Sequence, residues 1–169
     1  MFSKEKLEAE FGSETALGIQ YVDSQNRVWS PKELDTYFDE HGQVPPWSME
    51  SEFPDGSDAV RCTHYAIQVM RKYPDQTLIL GFKNEDNPNC EFAQKQLHPG
   101  GHDFAVIEDR WLVDPWVKLV RAAYQQVVYD LLDPVDFTLV RERYGRRDDW
   151  KLMQYSAEDF KTKPRKPRC

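Results

Sequence analysis

A chain of 169 residues suits one domain, large enough to bury about 70% of its unfolded surface without staples. Its net charge of −7 argues against general attraction to phosphate backbones, and no apolar run approaches the roughly 18–20 residues that span a bilayer. Three cysteines at irregular positions, Cys62, Cys90 and Cys169, make no disulfide framework and fit a reducing compartment.

The chain opens with a short helix to Phe11, ended by Gly12. Its first eight residues are too charged for a signal-peptide core. Two short strands are expected over residues 17–22 and 27–29, around the polar turn 23–26. Ser30-Pro31-Lys32-Glu33 is a helix start, with a capping serine, proline at the first position and Glu33 closing a capping box. That helix should run to about Glu40 and stop at His41-Gly42. Residues 44–57 lack periodicity and read as a surface loop. The acidic run Glu50, Glu52, Asp55 and Asp58 reads as solvated loop that would disfavour anionic substrates.

Small or apolar residues at Ala59, Cys62, Ala66, Val69, Met70 and Tyr73 predict one buried helical stripe over 58–73. Ser57 or Asp58 is the expected cap, so Cys62 falls near the first turn, and His64 reads as a surface histidine. Residues 77–82 form a strand, and 83–99 a loop with one helical turn around 92–96. Next come two apolar segments joined by a polar turn, from Gly101 to Asp114. With the turn centred on Glu108, antiparallel pairing sets Val106 opposite Arg110, Phe104 opposite Leu112 and His102 opposite Asp114. Directly opposed residues share a face, with Cβ atoms about 4.5–5.5 Å apart. Residues 118–132 fit a helix, although Val127-Val128-Tyr129 also fits a strand. Asp133-Pro134 opens a helix closed by Gly145, and 150–155 form a last strand. The single domain spans 1–160, and the basic, proline-rich tail 161–169 reads as disordered.

A cysteine opening a helix, a histidine opening a strand and an aspartate beside it suggest a thiol nucleophile, its base and an orienting carboxylate. The helix N-terminus favours the thiolate of Cys62, and protonated His102 would stabilise it further. Asp114 would hold the other ring nitrogen and fix the tautomer. The backbone N–H of Cys62 can receive an oxyanion. For a second oxyanion donor, Gln20 is the candidate, with Trp29 and Trp47 as others. Taken singly, each triad member has a structural reading: a buried helical cysteine, a turn-bound histidine and an Asx turn before Pro115. A zinc site from Cys90, His98, His102 and Cys62 matches no common ligand spacing.

The segments His102-Asp103-Phe104-Ala105-Val106 and Trp111-Leu112-Val113-Asp114-Pro115 resemble the core of the transglutaminase-like and papain-like cysteine enzymes. The resemblance covers about residues 56–117. It implies an α+β fold, with a nucleophile helix packed on a small antiparallel sheet, and assigns Cys62 as nucleophile, His102 as base and Asp114 as orienter. At position 103 this chain carries Asp where transglutaminases have a small or apolar residue. The implied activity is acyl transfer at an amide, by a peptidase, a protein-glutamine deamidase or a transglutaminase-like enzyme. The resemblance implies no cofactor. The expected partner is a protein or peptide substrate, with no nucleic acid or membrane, for a monomer. A cytoplasmic setting, or an effector or toxin delivered into a host cytosol without a cleavable signal peptide, suits such a chain. The alternative is a catalytically inactive member of the fold that serves as a protein-binding module.

Overall fold

A computed structural model describes residues 1–18, 21–42, 52–57, 61–98 and 100–157. Helix α1 (Lys4–Phe11) is capped by the Ser3 side chain, which accepts from the Lys6 N–H at 3.2 Å. A single helical turn, α2 (Glu14–Leu17), ends on the first residue of the strand expected over 17–22, and β1 (Tyr21–Val22) pairs antiparallel with β2 (Val28–Trp29). Asp23 organises the turn between them by accepting from the Gln25 and Arg27 N–H groups, both at 2.9 Å. Helix α3 (Pro31–His41) has the expected capping box, and Gly42 terminates it in the left-handed region at φ 67°.

Helix α4 (Cys62–Lys72) is shorter than its periodicity predicts. It begins at Cys62, with Arg61 as an N-cap that makes no side-chain capping bond. Ser57 therefore does not cap it, and Asp58 lies outside the described residues. Pro74 sets its end, because a residue before proline is pushed out of the helical region. Strand β3 (Thr77–Lys83) follows, then the one-turn helix α5 (Glu91–Gln94), β4 (Gly101–Ile107) and β5 (Trp111–Val113). Beyond β5 the long helix considered for 118–132 is reduced to one turn, α6 (Trp116–Leu119), and the β-branched pair at 127–128 leads into β6 (Val128–Asp130). Helix α7 (Pro134–Tyr144) is capped by Asp133, which accepts from the Val135 and Asp136 N–H groups. The last strand, β7 (Lys151–Leu152), is only two residues long.

The main sheet is antiparallel with order β6-β5-β4-β3-β7, so β4 is its central strand. Every residue of β4 is buried, which requires cover on both faces. On one face α4 sends Ala66, Ile67 and Met70 against Ile79 and Met153. On the other, α5, α6 and α7 contribute Phe92, Trp116 and Tyr144 around the rings of His102 and Phe104. Gly81 faces Asp103 across the β3–β4 ladder, where a Cβ atom would collide with the Asp103 carboxylate and the His102 carbonyl. Only glycine fits there.

The hairpin register differs from the expected one. Ile107 pairs with Trp111, Val106 with Leu112 and Ala105 with Val113. Glu108 and Asp109 take φ values of 50° and 58°, and the Arg110 N–H closes the turn onto the Ile107 carbonyl at 3.0 Å. Two residues in the left-handed region make a type I′ turn, whose twist suits a hairpin. Arg110 is then an extra residue before the ladder, so the register is displaced by two and His102 is not directly opposite Asp114. Side chains repeat every second residue along a strand, so an even displacement leaves both on the same face. They meet diagonally.

His64 corrects a second expectation. It is buried, because α4 is enclosed by the sheet and by the β1–β2 hairpin together, and every residue from Cys62 to Met70 is buried. Tyr21 packs edge-on against its ring at 6.1 Å. Burial, with Arg61 and Arg71 adding repulsion, pushes the His64 pKa down to about 3. The unfolded chain binds the proton more readily than the fold, so stability is present above the ordinary histidine value and declines as pH falls toward 3. The loss should approach about 1.4 kcal/mol per pH unit from this residue. Urea unfolding at pH 7 and about pH 4.5, with His64→Gln alongside, checks it. The variant should lose less stability on acidification than the parent; equal losses would contradict the assignment.

Candidate active site

Cys62 occupies the first position of α4, an eleven-residue helix, so its side chain lies at the positive end of the helix dipole. Its sulfur rests on β4 and accepts from the backbone N–H of Asp103 at 3.2 Å. This contact places Sγ at the junction between His102 and Asp103, where β4 extends past the last paired residue of β5. The sulfur is oxidised, joined in a disulfide. Cys90, by contrast, is a free and buried thiol.

From the next position back, the His102 ring leaves the opposite side of the strand. Its Nε2 donates to the Asp114 carboxylate at 2.6 Å, with both side chains buried. Phe92 stacks on the imidazole at 4.1 Å and 20°, and Trp116, Phe104 and Tyr144 complete an aromatic cage around it. The cage leaves the ring little freedom. With Nε2 held by Asp114, Nδ1 is the atom remaining for chemistry. It is buried and has no hydrogen-bond partner among the described residues.

Asp114 follows the last residue of β5, and its backbone N–H donates to the Val127 carbonyl at 2.8 Å. Besides His102, its Oδ2 accepts from the Tyr144 hydroxyl at 2.9 Å. Burial and the Asp114 charge hold the Tyr144 hydroxyl well above its ordinary pKa, so it stays a donor. The carboxylate is thus fixed from two elements, β4 and α7. Tyr144 was invisible to sequence reasoning, since nothing in the pattern of a helix end signals a partner 30 residues upstream. Phe92 was equally hidden within a polar loop. His98 lies at the margin of the cage, 5.9 Å from the Trp116 ring, and burial followed by the neighbouring His102, Arg61 and Arg121 charges lowers its pKa to about 4.

The fold joins His102 to Asp114 and bonds Cys62 to the backbone of Asp103, with the sulfur and the imidazole on opposite sides of β4. The oxyanion candidates fare differently. Gln20 and Trp47 lie outside the described residues. Trp29 is buried, and its indole N–H is committed to Asp23 at 2.9 Å. The four atoms considered as zinc ligands do not converge as a set. His102 Nε2 is spent on Asp114, and the Cys90 sulfur caps α5 by accepting from the Ala93 N–H at 3.5 Å. Among the described residues no group of three His, Cys, Asp or Glu side chains is placed to hold a metal ion. No described helix is long and apolar enough to cross a membrane. No protein-family model, curated protein or solved structure matches the chain.

Proposed function

We propose that the reduced chain is a cysteine-dependent amide acyl-transfer enzyme, a protein-glutamine deamidase, transglutaminase-like enzyme or peptidase. The observation that carries this reading is the division of labour on His102: Nε2 is anchored by Asp114 at 2.6 Å, buried Nδ1 has no partner among the described residues, and the next residue of the strand bonds the Cys62 sulfur.

A disulfide sulfur is not a nucleophile, so the activity belongs to the form in which a thiol reductant has released Cys62. In that form the thiolate attacks the amide carbonyl carbon, a C–S bond forms, and the backbone N–H at the helix start receives the oxyanion. The C–N bond then breaks as Nδ1 of His102 delivers a proton to the departing nitrogen. Water, deprotonated by the same nitrogen, hydrolyses the thioester and returns the thiol; an amine in its place gives transamidation. Asp114 supports the imidazolium throughout.

A second reading, a non-catalytic protein-binding module, is favoured by the burial and oxidation of Cys62. One experiment separates them. The chain is incubated with dithiothreitol and a pool of peptides carrying glutamine and lysine, and products are resolved by mass spectrometry. The proposal expects glutamine converted to glutamate, cleaved peptides or glutamine–lysine cross-links, all abolished by Cys62→Ala. No covalent change in any peptide, with Cys62 inert to alkylation after reduction, would leave the binding module.

A further inference from the structure

Asp103 departs from the small residue that the resembled pattern carries at this position, and it grips α4 twice. Its backbone N–H donates to Cys62 Sγ at 3.2 Å, and its carboxylate accepts from the hydroxyl of Thr63, the next residue of the helix, at 2.7 Å. Thr63 and Asp103 are both buried, at 0% and 2% exposure, where solvent competes little and a carboxylate–hydroxyl bond has its greatest hold. Along β4, His102 and Asp103 point to opposite faces. The strand therefore turns the imidazole toward Asp114 and the carboxylate toward α4. Two consecutive helix residues meet the N–H and the side chain of one strand residue, so displacing α4 along β4 would break both bonds together. Gly81 clears the space that the Asp103 carboxylate occupies.

We infer that the buried Thr63–Asp103 pair is a positioning device that sets the Cys62 sulfur against the histidine strand and keeps the Asp103 N–H aimed at it. The inference rests on the reading of Cys62 as nucleophile and His102 as its base. An N–H donated to a thiolate is a charge-assisted bond, stronger than one to the neutral thiol. Holding it in line favours the reactive form. The Thr63 hydroxyl touches no reacting atom and acts through the register of the helix.

The test follows the pH dependence of Cys62 alkylation by iodoacetamide in the full-length chain after reduction, read by peptide mass spectrometry with Cys90 as internal reference. Thr63→Val should raise the midpoint of the Cys62 profile by about 0.5–1 pH unit and slow its alkylation near pH 6 about 3- to 10-fold. Thr63→Ser should restore the parent profile. A merely structural hydroxyl would lower the unfolding temperature of Thr63→Val without moving the midpoint. That result, in a variant that still unfolds cooperatively, would overturn the inference. If the valine variant does not fold, Thr63→Ala, which adds no methyl group against the carboxylate, supplies the same comparison. His102→Ala run in parallel keeps the two ideas apart. A slowed His102→Ala with an unmoved Thr63 variant defeats only the positioning role, whereas an unmoved His102→Ala defeats the reading of the site itself.

Discussion

His102→Ala is expected to slow alkylation of reduced Cys62 near pH 6 by about 100-fold. An ordinary thiol with a pKa of about 8.5 is well under one per cent ionised there, whereas a thiolate paired with an imidazolium is largely ionised. The helix dipole and the Asp103 N–H survive the substitution, so part of the activation should remain. Cys90 provides the control within the same molecule. Burial pushes its thiol up, and it should react slowly in parent and variant alike. Equal Cys62 rates in the two proteins would mean that the imidazole and the sulfur do not act together.

The second large effect is expected at Asp114, where activity and stability can be separated. Asp114→Ala removes the acceptor shared by His102 and Tyr144, stranding two buried donors. Breaking a buried pair of this kind costs about 3–5 kcal/mol, which should lower the unfolding temperature by roughly 6–20 °C for a chain of this size. Asp114→Asn keeps a carbonyl oxygen for one donor and should recover much of that stability. It cannot support an imidazolium, so turnover should stay depressed by about 10²–10⁴-fold. Calorimetry and alkylation on both variants decide the matter. An asparagine variant as reactive as the parent would reduce Asp114 to a structural residue.

Local signals located α1, α3 and α7 closely, because each starts with a capping side chain whose acceptor geometry is built into a few consecutive residues. The helix beginning at Cys62 lacks such a cap, so no local signal marks its start. Glu108-Asp109 carries neither of the residues that usually announce a type I′ turn, Asn-Gly or Asp-Gly, and the register was read two residues away from the one adopted. The pairing of His102 with Asp114 survived this because the error was even. An odd error would have put the two side chains on opposite faces. What no local pattern could supply were the long-range contacts of the site: Tyr144 on Asp114, Phe92 on His102, and Thr63 on Asp103. Each joins segments whose meeting is decided by sheet order and by the packing of α4 and α7. The burial of His64 escapes the pattern for a related reason, since periodicity gives a helix one buried face and cannot anticipate a second layer closing over it.

The most direct measurement is the ionisation of the Cys62 thiol itself, taken from the ultraviolet absorbance of thiolate as reduced chain is titrated, with Cys62→Ser subtracted. A sulfur sustained by the imidazole and the helix start should ionise with a midpoint below about pH 6. A midpoint at or above the ordinary thiol value of about 8.5 would mean an unactivated, buried cysteine, and the acyl-transfer proposal would fall with it.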